Sequence, residues 1–343
     1  MGCNAVQVGI GILLLAHIVD RWIGDPPQLI HPVVVMGWAI QRLRQIAEGW
    51  SRGSRVALRL SGGLITLVIV GGSALLGWCL EQAFLESCAS GHPARAAVGT
   101  IVLVIASASC LAAQSLQQAV LKVLEGIKTN DIQAARHNLQ WIVRRETKEL
   151  EERDILRAAA ETAAENSVDA VFAPLFWMTV GLFVWHCDPS WPGPLAMAWA
   201  FKATSTLDSM VGYKTGTLLW LGTTSARLDD ALVWLPCRCV MATLPLVAAG
   251  WNQWWSLVRS AEKDGQADPS PNSGRAEAIY AHCTKMCLGG PNRYGEQWVV
   301  KPTLGATMPD PSRSTILHIF RLNTRLQIAW IAVAALVLHQ ASL

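Results

Sequence analysis

Ionisable side chains stand at regular intervals beside and within the apolar stretches of this chain. Glu161, Glu165 and Asp169 fall at i, i+4 and i+8, so a helix would set them on one face about a turn apart. Like charges so placed repel, and a magnesium ion, a cationic partner or a shifted carboxyl pKa would relieve them. Magnesium suits such a face because it takes one or two carboxylates and keeps water and phosphate oxygens as its other ligands. Asn166 lies beside the same face. A solvated helix face is the plain alternative, but the run leads directly into the apolar VFAPLF. A second group, KATSTLDSMVGYK, packs Lys202, Asp208 and Lys214 with Ser205, Thr206, Ser209 and Tyr213 into a short, otherwise apolar stretch. That pattern predicts an anion site, with lysines on phosphates and Asp208 on a metal or a lysine; the alternative is a surface loop with snorkelling lysines. A third, ARLDD, carries Arg227, Asp229 and Asp230, and reads equally well as the N-terminal cap of a helix. Two loops, DPSPNSG with Asn272 and GGPNRYGE with Asn292, are dense in Gly, Pro and Asn. Such residues fix tight turns and expose N–H groups that can cradle anions. A smaller polar cluster, Asp20, Gly24-Asp25-Pro26 and His31-Pro32, follows the first apolar run.

The standard signatures are absent: no GxxxxGK[ST], no GxGxxG after a strand, no HExxH and no GxSxG. The cysteines number 9, without a CxxC pair, which indicates neither a disulfide framework nor a zinc site. A net charge of +3, with no basic stripe interleaved with aromatics, argues against nucleic acid as a partner.

The elements that must position these groups are apolar helices. The hydrophobic fraction is 52% and the charged fraction 15%, and the mean hydropathy is +0.30. The apolar residues sit in blocks, which predicts an all-α, polytopic membrane bundle. A charge at bilayer depth costs at least ~2.5–3.5 kcal/mol, so the persistent ones are expected to line a site. Candidate spans cover about 4–19, 60–80, 96–116, 171–187, part of 231–257 and part of 326–343, giving five to seven crossings once a re-entrant or broken helix around 194–215 is allowed. The first span lacks a basic n-region and a cleavage site, so it is expected to be retained. Gly62-Gly63 and Gly71-Gly72 predict close helix contacts. Segments 20–59, 117–170 and 258–325 carry 6, 8 and 9 basic residues against Arg95 alone in 81–95; these hydrophilic segments of a single 1–343 domain are expected on the cytoplasmic side. Tryptophans 50, 78, 185, 191, 251, 254 and 255 are expected to form an interfacial belt. Segment 117–168 predicts helices, with Asn130-Asp131 ending one and capping the next, and 258–325 predicts structured loops with short helices.

DRWIGDP with HPVVVMG, ETAAENSVDAVFAPLF, KATSTLDSMVGYK, SARLDD, SPNSG and GGPNRYGE occur in that order. Together they closely resemble the adenosylcobinamide-phosphate synthase family of cobalamin biosynthesis, over about residues 10–330. Arg144, Glu146 and Ser205 stand where that family commonly has Gly, Asp and Asn. The resemblance implies an integral membrane enzyme that joins adenosylcobyric acid to aminopropanol or its phosphate through an amide bond, using ATP; the carboxylates above add Mg²⁺. It implies the inner membrane, with the site facing the cytoplasm, contact with membrane lipid, and a homo-oligomer or a complex with other enzymes of the pathway. Combined with the residue chemistry above, catalysis would fall to Glu161, Glu165, Asp169, Lys202 and Asp208. Asn166, Lys214, Arg227, Asn272 and Asn292 would bind substrate or phosphate, and Glu165, Asp169, Asp208 and Asp229 would hold Mg²⁺. A transporter for a corrinoid or other anionic small molecule is the competing reading, and a non-catalytic assembly partner is a third.

Overall fold

Long apolar runs fold into helices here, and short polar signals start and stop them. The computed structural model describes residues 5–24, 31–295 and 297–341; Cys3, Asp25, Pro26 and Glu296 lie outside them. After α1 (Ala5–Trp22), α2 (Pro32–Ser51) begins with proline at its first position and the His31 ring accepting the Val33 N–H at 3.2 Å. Ser54 caps α3 (Arg55–Ala89), and α4 (Pro93–Ala108) again opens on proline. α5 (Ala113–Lys128) and α6 (Ile132–Leu139) meet as predicted: Asn130 turns the chain at φ 56°, and Asp131 accepts the Ala134 N–H at 2.9 Å. α7 (Glu152–Ser167) continues through a π turn (Val168–Phe172) into α8 (Ala173–Cys187). α9 (Pro194–Val211) is an unbroken helix, so the predicted break falls at Gly212, where it ends. After α10 (Leu218–Leu221), α11 (Thr223–Ala249) starts upstream of ARLDD. Asp229 and Asp230 therefore lie inside a helix, not at its cap. α12 (Trp251–Gly265), α13 (Ser273–Thr284), an antiparallel hairpin of β1 (Leu288–Tyr294) and β2 (Gln297–Leu304), and α14 (Arg313–Ala341) complete the chain.

Five helical segments are long and apolar enough to cross a membrane: α1, α3, the run Glu152–Cys187, α11 and α14. A sixth arises if α4 and α5, bent by 41° at their break, form one span. The chain is an all-α, multi-pass membrane protein, and among the described residues the hairpin is its only sheet.

The contacts gather into two compact units. The first takes Met1–Ala112, Ala173–Leu232 and Ile331–Leu343; the second takes Ala113–Phe172 and Val233–Trp330. Of the hydrophilic segments, 20–59 belongs to the first unit, and 117–170 and 258–325 wholly to the second.

Small residues set the packing of the first unit. A Cβ on Gly62 would stand 1.9 Å from the Leu221 carbonyl oxygen, and one on Gly77 2.8 Å from Ala196 Cα. Gly71 and Gly72 have nothing within 4 Å, so the close contact predicted for both glycine pairs holds at Gly62 and not at Gly71-Gly72. Gly62→Ala is expected to cost about 1–3 kcal/mol by overpacking, whereas Gly71→Ala should be neutral or slightly stabilising; unfolding midpoints in detergent test both. Glu81 of α3 is buried and accepts the N–H groups of Gly193, Leu195 and Ala196 at 2.8, 2.6 and 3.3 Å, satisfying the open start of α9. Trp185 is buried against Gly193 rather than placed in an interfacial belt, while Trp50, Trp191, Trp251 and Trp255 are exposed. In the second unit, Tyr280 donates to Asn323, whose amide donates to Ser167 Oγ at 2.5 Å, tying α13 and α14 to the end of α7.

Candidate functional site

Helical spacing puts Arg157, Glu161 and Glu165 of α7 on one face, and the β hairpin covers that face. Glu161 is 1% exposed. One of its oxygens takes the Arg145 guanidinium and the other accepts the Gly289 N–H at 2.9 Å. Arg145, in the loop after α6, also donates to Asn292 Oδ1 at 2.5 Å. Arg157 donates to the Gly289 carbonyl and, at 2.9 Å, to the Pro291 carbonyl. Gly289 and Gly290 adopt φ 83° and 91°, which favours glycine. A Cβ on Gly289 would stand 1.9 Å from the Pro302 oxygen. The glycines of GGPN thus serve close approach, and the Gly289 N–H is spent on Glu161 rather than left to cradle an anion. Asn292 is 2% exposed, and its Nδ2 is buried without a partner.

Beside this clamp, Lys301 of β2 donates to buried Glu277 of α13 at 2.8 Å. Burial pushes the Glu277 carboxyl up to about 8, against the pull of Lys301 and with Glu161 and Glu165 adding to the rise. Burial works against the Lys301 charge, but Glu277 and Glu165 outweigh it and raise its pKa above the ordinary lysine value. The Glu165 side chain is half-buried and makes no hydrogen bond among the described residues; its charged neighbours are Lys301, Asp268, Glu161 and Arg144. Asp169 follows Glu165 by four residues. It lies in the π turn after α7 and acts electrostatically on Cys237. Asn166 is half-buried. Asn272 accepts Arg238 at 2.6 Å, and Asp268 accepts the Ser270 N–H at 2.8 Å, so DPSPNSG is held in part by its own turn.

In the first unit, Asp208 lies over Gly212: a Cβ there would stand 1.9 Å from Asp208 Oδ1. Asp229 has a buried Oδ1 without a partner, with Asp208 and Asp230 as its charged neighbours, and Lys214 acts on Asp230. Lys202 acts electrostatically on Cys110, and Arg227 is exposed. Lys214, Asp208, Asp229 and Asp230 are thus brought together. Among the described residues, no three or more His, Cys, Asp or Glu side chains form a group that could hold a metal ion by themselves.

Residues 13–323 match the protein family described as CobD/Cbib protein. The chain is 40% identical over 300 residues to "Cobalamin biosynthesis protein CobD" of Synechocystis sp., covering 86% of this chain and 82% of that one. It is 37% identical to the protein of the same name from Pelobacter propionicus, covering 98% and 97%. It is 36% identical to "Cobalamin biosynthesis protein CbiB" of Salmonella typhimurium, covering 90% and 91%. The chain belongs to the CobD/CbiB family. No solved structure matches this CobD/CbiB chain.

Four members of the second-unit network escape sequence reasoning in this CobD/CbiB protein: Arg145, Arg157, Glu277 and Lys301. Each carried a weak signal. Glu277 is a lone carboxylate in the small-residue helix SGRAEAIYAHCT, and Lys301 a lone cation in WVVKPTL.

Proposed function

We propose that this chain catalyses ATP-dependent amide-bond formation in the inner membrane. It would join adenosylcobyric acid to aminopropanol or aminopropanol phosphate at a site facing the cytoplasm. Membership of a cobalamin-biosynthesis family supports the corrinoid substrate. The single observation that carries the chemistry is Glu165, a carboxylate free of hydrogen bonds among the described residues, at the edge of a fixed network of acids and cations. Such a group can take a proton from the substrate ammonium, freeing the amine lone pair for attack, or orient the amine. Glu161, with both oxygens engaged, positions the hairpin and does not itself react.

Mg²⁺ and nucleotide phosphates fit the residues present. Asp229 offers a buried, unpartnered oxygen beside Asp208, and Lys214 stands close by. Glu165 offers a free carboxylate, and Asn292 Nδ2 an unused buried donor. With one or two carboxylates at each place, phosphate oxygens and water would complete a magnesium shell. ATP would supply the phosphoryl group that makes the corrinoid carboxylate an acyl phosphate. The amine then forms the C–N bond, the C–O bond to phosphate breaks, and the amine's protons pass to the base and solvent. In the first unit, Asp208 and Asp229 would hold magnesium, and Lys202, Lys214 and Arg227 phosphate oxygens; in the second unit, taken by itself, Asp169 and Asn166 would hold an amine.

The test is purified protein in detergent with Mg-ATP, adenosylcobyric acid and aminopropanol phosphate. Expected products are adenosylcobinamide phosphate and ADP. AMP instead of ADP would overturn the acyl-phosphate route, and substrate flux in liposomes without product would overturn ligation. Glu165→Gln is expected to lower kcat by roughly 10²–10⁴-fold with an unchanged unfolding midpoint. A near-normal rate would remove Glu165 from the chemistry.

A further inference from the structure

Gly71-Gly72, predicted to pack against a neighbouring helix, line open space instead. Gly72 borders an apolar cavity of about 440 Å³ between α2 and α3, floored by Trp199 of α9. A second cavity of about 330 Å³ lies along the same helix pair toward their connecting turn. The two share Val68. Together they form one groove running along α3 from Ser61 to Leu76. At 1.5 Å per residue that is roughly 22 Å of helix, longer than the ~15 Å hydrocarbon half of one leaflet. Its walls are apolar and open outward: Leu64, Val68 and Leu76 are each at least half exposed.

The end of the groove at the α2–α3 turn is cationic. Arg52, Arg55 and Arg59 are exposed there, and none has an acidic partner among the described residues. Arg55 and Arg59 instead stack on Trp220, at 5.2 and 4.4 Å from its ring centre. The nearby acid, Glu48, is taken by Arg44 at 3.1 Å and Thr217 at 2.7 Å. Trp50, 71% exposed, lies at the same end, as tryptophan does at a membrane–water interface. α3 is itself long and apolar enough to span the bilayer, and Arg55 is its first residue.

We propose that this groove is a binding site for an anionic phospholipid, one acyl chain lying between α2 and α3 and the headgroup phosphate on Arg52, Arg55 and Arg59. Charge complementarity selects the occupant. Three cations without acidic partners at the mouth of an apolar groove match a phosphate ester carrying a long chain. A zwitterionic lipid would bring its own cation to the same mouth.

The experiment uses the whole chain, purified in detergent and exchanged into nanodiscs or mixed micelles with phosphatidylglycerol or phosphatidylcholine, with bound lipid counted by native mass spectrometry. Phosphatidylglycerol should be retained over phosphatidylcholine. Arg55→Ala with Arg59→Ala should weaken its retention by roughly thirtyfold. Gly72→Phe, which fills open space and leaves the cations intact, should reduce it comparably. Equal retention of both lipids, or unchanged retention in both variants, overturns the site. If the arginine variant loses phosphatidylglycerol while Gly72→Phe does not, or if glycerol phosphate competes as well as the lipid, the arginines bind headgroups alone and the groove assignment fails. Circular dichroism on each variant separates loss of lipid from loss of fold.

Discussion

Glu161→Ala is expected to destabilise the second unit by about 3–5 kcal/mol and to abolish turnover. The side chain is 1% exposed and its guanidinium partner Arg145 7%. Truncation strands a buried cation and leaves the Gly289 N–H without its acceptor, and each such orphaned group costs about 1–3 kcal/mol. Arg145 also holds Asn292, so the loss spreads to the side chain that carries the unused buried donor. Glu161→Gln should fall between, because its amide oxygen still accepts from Gly289 while the charge opposite Arg145 disappears. Glu161→Leu combined with Arg145→Met should recover much of the stability but not the activity, since an apolar replacement of a buried pair is often nearly neutral. Denaturant unfolding in detergent, with turnover measured on the same samples, checks all of these. A Glu161→Ala protein with an unchanged midpoint would show that the hairpin is not anchored through this pair.

Much of the fold was legible because its signals are local. Asn130-Asp131 stops one helix and starts the next through a single residue's dihedral and a single side-chain cap. The apolar blocks that became α1, α3, α8, α11 and α14 needed only length and composition to be seen. The hairpin looks like loop in sequence because β1 is built from Gly, Pro, Asn and Arg, while β2 keeps most of its length exposed or half-exposed, so neither shows the alternation of a half-buried strand. Glu161 and Glu165 were found from their spacing. The π turn that holds Asp169 is announced by no periodicity. Gly62 and Gly71 look alike in sequence, yet one touches a backbone and the other faces open space. Arg145, Glu277 and Lys301 are inconspicuous for the same reason: each is ordinary in its own segment and becomes a site residue only through partners more than a dozen positions away.

Those distant partners give Lys301→Met a pH signature that a merely structural lysine would lack. In the native protein one lysine faces three carboxylates, Glu277, Glu165 and Glu161. With Arg145 committed to Glu161 and Arg144 acting on Glu165, Lys301 is the cation bonded to Glu277. Glu277, pushed up to about 8 by burial, takes up a proton on folding over the range between an ordinary glutamate pKa, about 4.3, and that value. In this range the native state binds more protons than the unfolded chain, so stability falls as pH rises. The Lys301 contribution has the complementary range. Its pKa is raised, so its stabilisation is fully present below the ordinary lysine pKa of about 10.4 and is lost only as pH climbs through the higher folded value. Removing the ammonium leaves Glu277 without its cation and drives its pKa higher still. At about pH 5.5 the Glu277 carboxyl is neutral in both proteins, and Lys301→Met should cost only ~1 kcal/mol, the worth of one hydrogen bond. At about pH 8.5 the variant must bury an uncompensated carboxylate or hold its proton against the solvent, and the loss should approach ~3–5 kcal/mol. Thermal unfolding of both proteins in the same detergent at the two pH values reads the difference directly. A loss of equal size at both would show that Lys301 stabilises by packing alone, and a larger loss at the lower pH would reverse the assignment of the proton to Glu277.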